Sequence, residues 1–235
     1  MALPVLIIGK SGSGKTYSLK NFKPDEIGVI SVEKGRLPFR SEIKVAKVPK
    51  NYEASAVKNI VESLGGKYDG GGLASYAQLA AAKYAWICQV IAKSKTKSIA
   101  IDDSQYLLAN ELFDRSKEKG YEKFTDLAVN FRNLIHFVNE LEEDDKIVYF
   151  LHHTESGTDG REKAKTIGKM LDEKLTVEGC FDIVIYCEDH KFFTQSNGQS
   201  TAKTPEDMFE LEIPNDLKAV DEAIREYYNM KGETK

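Results

Sequence analysis

No stretch of this 235-residue chain approaches the run of roughly 20 apolar residues that a helix needs to cross a bilayer. The apolar opening MALPVLIIG lacks a basic leader and a cleavage-like region, so it reads as a first strand and not as a signal peptide. Cysteine is scarce. Cys88, Cys180 and Cys187 are odd in number and fall at no metal-ligand spacing, which argues against a disulfide scaffold or a zinc module and suits free thiols in a reducing cytosol. Basic charge is not in excess either: 33 Lys and Arg against 37 Asp and Glu leave a formal net charge of -4. An evenly basic nucleic-acid coat is excluded, and any grip on a polyanion has to come from a local cluster. Internal repeats and low-complexity segments are also lacking.

What is present is the composition of a folding chain, 41% hydrophobic and 30% charged. The length suits a single domain over residues 1–230, with 231–235 as a frayed tail. Short Val, Ile, Phe and Tyr runs predict strands at 5–8, 28–32, 98–101, 146–151 and 182–186. Helical spacing predicts helices over 15–21, 52–63, 74–93, 105–118, 125–142 and 217–228. In the 125–142 segment Leu127, Phe131, Leu134, Ile135, Val138 and Leu141 form one core-facing stripe. The glycine-rich segment 64–73 and the charged segment 153–169 read as exposed mobile loops. Beyond Tyr186, a turn at Asn197-Gly198 with a returning extended segment predicts a hairpin. The whole is an α/β fold: a mostly parallel central sheet with helices on both faces and a C-terminal β-hairpin.

Chemistry concentrates at strand ends. GKSGSGKT fits G-x-x-x-x-G-K-[ST] directly after a strand and before a helical run. Its members Gly9, Lys10, Ser11, Gly12, Ser13, Gly14, Lys15 and Thr16, with Tyr17 behind them, form a candidate cradle for ATP phosphates. Lys15 is placed to reach the β and γ phosphates, and the Thr16 hydroxyl to ligate Mg²⁺. KSIAIDDSQYL ends a strand in Asp102, the candidate magnesium partner, and Asp103, a candidate for orienting water. IGVISVEKG puts Glu33 at another strand end, a candidate base for the attacking water. IVYFLHHTE leaves His152 and His153 at a strand tip, where alternation turns one of them away, and His153 is favoured as a γ-phosphate sensor.

In this order the motifs GKSGSGKT, VISVEKG, IAIDDSQYL, YFLHHTES and KTIGKMLDEKL resemble the RecA-like branch of P-loop ATPases, and more closely the small phage-encoded ATPases of the AAA-like and Sak type. The resemblance spans most of the chain. It assigns hydrolytic base function to Glu33, while the doubled acid Asp102-Asp103 leaves Asp103 as the alternative. It further implies a homo-oligomer on single-stranded DNA, in the host-cell cytoplasm, working with a phage replication or recombination protein. Arg161, Lys163, Lys165 and Lys169, in the loop after the histidines, become candidates for DNA contact or for a finger acting in trans, and Lys203 is a second finger candidate. A nucleotide-switched helicase loader or protein-interaction ATPase is the competing expectation.

Overall fold

The computed structural model describes residues 1–33, 35–49, 58, 62, 76–167 and 176–230. The expected helix over 52–63, the loop over 64–73, Lys169 and the tail over 231–235 lie wholly or mainly outside these residues.

Alternation between sheet and helix is as the apolar pattern requires. The strands are β1 (Leu3–Gly9), β2 (Ile27–Ser31), β3 (Val45–Lys47), β4 (Ser98–Asp102), β5 (Ile147–Ser156), β6 (Glu162–Ala164), β7 (Ile183–Glu188), β8 (Lys191–Phe193) and β9 (Glu212–Pro214). They form one sheet in the order β3-β2-β4-β5-β1-β7-β8-β9, with β6 on β5. Neighbours from β3 through to β7 run parallel, while β8 and β9 are antiparallel additions at one edge. The helices are α1 (Tyr76–Lys93), α2 (Gln105–Asp114), α3 (Glu122–Glu140) and α4 (Leu217–Tyr227).

Period-two alternation divides the central strands between two cores. On one face Leu6, Ile8, Ile30, Ile101, Val148 and Phe150 pack with side chains of α1, α2 and α3. On the other, Val5, Ile7, Val29, Tyr149 and Ile185 pack with Leu19, Phe22 and the α4 residues Leu217, Val220 and Ile224. In α3 the stripe residues Leu127, Phe131, Leu134, Ile135 and Val138 are all buried, each stabilising the fold by roughly 2 kcal/mol. Leu141 is the C-cap residue, where the chain turns extended. Asp221 of α4, 2% exposed, ties that helix to the sheet by accepting from the Tyr149 hydroxyl at 2.9 Å and from Arg225 Nε at 2.6 Å. Among the described residues no helix is long and apolar enough to cross a membrane.

Four sequence expectations are corrected. The helix over 15–21 is a short 3-10 segment, Tyr17–Asn21, which ends when Phe22 turns extended ahead of Lys23-Pro24. The helix over 105–118 stops at Asp114. The histidines do not end their strand, because β5 runs on to Ser156 and pairs antiparallel with β6, so much of the supposed loop over 153–169 is a two-stranded ribbon. The hairpin closes elsewhere: β7 and β8 are joined by Asp189-His190, both with positive φ (46° and 57°) as a two-residue hairpin turn demands. Asn197-Gly198 turns a longer excursion whose return bridges Glu162 and Val184.

Candidate functional site

The sheet order brings three strand ends together. Gly9 at the end of β1 lies in register with His153 of β5, and β5 separates β1 from β4, which ends at Asp102. The loop after Gly9 curls through Gly12 (φ 81°) and Gly14 (φ 111°), backbone conformations that side-chain-bearing residues rarely adopt. A cavity of about 250 Å³ opens above it, lined by Ser11, Gly12, Gly14, Lys15, Thr16, Tyr17, Pro38, Asp103, His153 and His190.

Lys15, only 6% exposed, donates to the carbonyls of Gly9 at 2.6 Å and Lys10 at 2.8 Å, so its ammonium lies folded across the loop. The Thr16 hydroxyl donates to Asp102 Oδ1 at 2.7 Å. A hydroxyl and a carboxylate at this distance are a hard-oxygen donor set of the kind magnesium takes, and the cavity with its buried cation fits a polyphosphate; the residues present therefore fit nucleotide and metal together. Lys10 reaches outward instead, to Glu162 of β6 at 3.2 Å, and links the loop to the ribbon.

Beside the cavity Asp103 sits at a strained φ of 61° and contacts His153 Nε2 at 3.1 Å. His152 points the other way and is fully buried, and burial lowers its pKa to about 4. The ring is neutral at pH 7. Since the Lys165 carbonyl 2.8 Å from Nε2 can only accept, Nε2 carries the hydrogen and Nδ1 accepts from the Ser104 hydroxyl at 2.9 Å. The neutral ring thus braces Ser104, next to Asp103, against the start of the 165–167 segment.

Glu33 is placed differently. Two residues beyond β2, its carboxylate accepts from Asn110 Nδ2 of α2 at 2.8 Å and lines a separate cavity of about 280 Å³ with Lys83, Tyr84, Asn110 and Glu111. Of the basic candidates, Arg161 is paired with Asp159 at 2.7 Å and Lys163 with Glu155 at 3.8 Å. The Lys165 amide donates to the His153 carbonyl at 2.8 Å. Lys203 is exposed and its backbone bridges Val184, which pairs with Leu6 of β1, three residues short of Gly9.

Sequence reasoning missed the groups that hold the loop from the β7–β8 side. The His190 amide donates to the Ser13 carbonyl at 3.0 Å, and the Cys187 thiol, its pKa raised by burial to about 11, donates to the same oxygen at 3.2 Å. Asn215 Nδ2 donates to the Gly14 carbonyl at 3.1 Å. The Tyr17 ring meets His190 edge-on at 5.7 Å and Phe39 at 6.2 Å. The two-residue spacing from Glu188 to Lys191 was a usable signal for this hairpin; nothing in the local sequence points to Asn215.

A glycine loop at the tip of β1, an acid at the tip of β4 and a further strand between them define a P-loop NTPase. The chain belongs to the AAA domain family, whose model matches residues 1–209, and it is a P-loop ATPase. Among solved structures it is similar to a KaiC-like protein from the hyperthermophilic archaeon Pyrococcus horikoshii OT3, with 14% identity over 78% of this chain and 71% of that chain and a TM-score of 0.37. Comparison with curated proteins finds no match.

Proposed function

We propose that this ATPase serves phage-type DNA recombination or replication, acting as an oligomer on single-stranded DNA in the host-cell cytoplasm. The hydrolytic part is carried by one observation: Lys15, Thr16 and the Asp103–His153 pair share a single cavity, and Asp102 is bonded to Thr16 at 2.7 Å. In this reading Lys15 turns from the loop carbonyls to the β and γ phosphates of ATP. Thr16 and Asp102 hold Mg²⁺, which when bound neutralises charge on those phosphates. Asp103 orients the attacking water, being in the phosphate cavity, whereas Glu33 is turned to Asn110. His153 reports the γ-phosphate through its contact with Asp103, and its strand carries the change into the β5–β6 ribbon.

The test compares Asp103→Asn with Glu33→Gln. Asp103→Asn retains ATP affinity and loses turnover by about a hundredfold or more, in the range of general-base loss. If Glu33→Gln does so instead, the base is Glu33. The DNA part rests on the resemblance to RecA-like proteins, with Lys165 and Lys203 as its remaining described basic candidates. The pairing of Arg161 and Lys163 with carboxylates favours the second reading, a helicase loader or protein-interaction ATPase. A salt titration of single-stranded DNA binding with and without ATP separates the two, and absence of ATP-dependent binding at low salt removes the first.

A further inference from the structure

The connection from α2 to α3 displays two large rings to solvent: Phe113 is 74% exposed and Tyr121 88%. A third ring, Phe124, stands 6.5 Å from Tyr121, with the Lys123 ammonium 5.6 Å from its centroid. The charges around them are sorted. Arg115, 3% exposed, donates to Glu111 at 2.9 Å, Glu118 at 2.8 Å and Asp126 at 2.7 Å, while Asp114 is paired with Lys83 at 3.0 Å. The carboxylates of the segment, Glu122 apart, are therefore engaged with cations, and Lys117 and Lys119 are exposed in the same connection.

Exposed rings among ammonium groups match the chemistry of a single strand, whose unpaired bases stack on aromatic faces while its phosphates meet lysines. We propose that the α2–α3 connection, Phe113 to Phe124, is the platform on which single-stranded DNA stacks. The assignment rests on the DNA reading above and moves the contact away from the β5–β6 ribbon, whose cations are paired locally. It also gives the strand a route to the nucleotide. Helix α2 begins at Gln105, which accepts from the His153 amide at 3.2 Å; it carries Asn110, bonded to Glu33; and it ends one residue after Phe113. A strand seated on Phe113 thus bears on the helix whose first residue holds the His153 backbone beside the phosphate cavity.

Anisotropy of a fluorescein-labelled oligothymidylate, titrated in salt with an ATP analogue present, tests the platform. The double variant Phe113→Ala, Tyr121→Ala binds at least about tenfold more weakly with an unchanged salt slope, whereas Trp at both positions retains binding. Lys→Gln at 117, 119 and 123 flattens the slope of log affinity against log salt by about 2, at about 0.7 per phosphate released. Basal ATP turnover is unchanged in all of these. If the wild-type chain binds the oligonucleotide and the alanine variant binds it equally, the platform is wrong and the DNA reading survives. If the wild-type chain binds none at low salt, the DNA reading falls and takes the platform with it. Equal DNA affinity with a changed elution volume would make this surface a contact between protein chains, and overturns the proposal.

Discussion

His152 makes this fold specifically sensitive to acid. Burial holds the native ring at a pKa of about 4, against an ordinary value of 6.5 in the unfolded chain. Between these values the unfolded chain binds a proton that the native chain refuses, so stability falls as pH drops through the window from about 6.5 to about 4. The full difference is about 3 kcal/mol, of which about 2 kcal/mol is lost between about pH 7.5 and about pH 5. Protonation at Nδ1 would also turn the acceptor facing Ser104 into a second donor, loosening the turn that presents Asp103. Urea unfolding at the two pH values, for wild type and His152→Gln, isolates the effect because other titrating groups cancel in the double difference. Gln keeps a donor for the Lys165 carbonyl and cannot titrate, so it loses about 2 kcal/mol less than wild type on acidification. Equal losses in both proteins would refute the neutral buried ring.

Other changes act on the cradle and its support. Lys15→Ala removes the cation folded over Gly9 and Lys10, and binding of a fluorescent ATP analogue falls by about a hundredfold or more, as loss of a buried charge-assisted contact implies. Gly14→Ala places a Cβ against the Asn215 amide and the His190 ring at a φ of 111°, costing about 1–3 kcal/mol of strain and abolishing analogue binding, while a correctly folded variant with normal affinity would contradict the geometry. Asp221→Ala takes the acceptor from the buried Tyr149 and Ser98 hydroxyls, while Arg225 keeps the Asp145 and Lys97 carbonyls; the urea midpoint shifts by the equivalent of about 2–4 kcal/mol with analogue affinity unchanged in the folded fraction.

The parts of this molecule that were legible in its sequence are those fixed within a few residues. The glycine spacing dictated the loop, the apolar run ending in Asp102 placed an acid at a strand end, and period-two alternation separated His153 from His152. Direction beyond a strand end was not legible, because it depends on which element packs there: Glu33 turns to Asn110 only because α2 lies across β2 and β4 on that face. The hairpin was misread for a related reason. Asn-Gly is the strongest local turn signal, yet Asp189-His190 takes the tight turn because the strands on either side, Glu188 and Lys191 in register, leave two residues to close it.

That closure has a consequence for how the cradle is held. A phosphate loop followed by a full α-helix is anchored by its own helix, but here only five residues of 3-10 helix follow, so the anchoring has to come from elsewhere. It comes from the chain's other end: Cys187 and His190 fix the Ser13 carbonyl, Asn215 fixes Gly14, and Asp216, the N-cap of α4, accepts from Asn21 at 2.6 Å at the end of the 3-10 segment. Asn215 and Asp216 lie beyond the 1–209 stretch that matches the family model. The glycine motif can therefore be read locally, but the contacts that hold it span nearly the whole chain, with the α4 cap supporting the loop through Gly14 and the segment after it through Asn21.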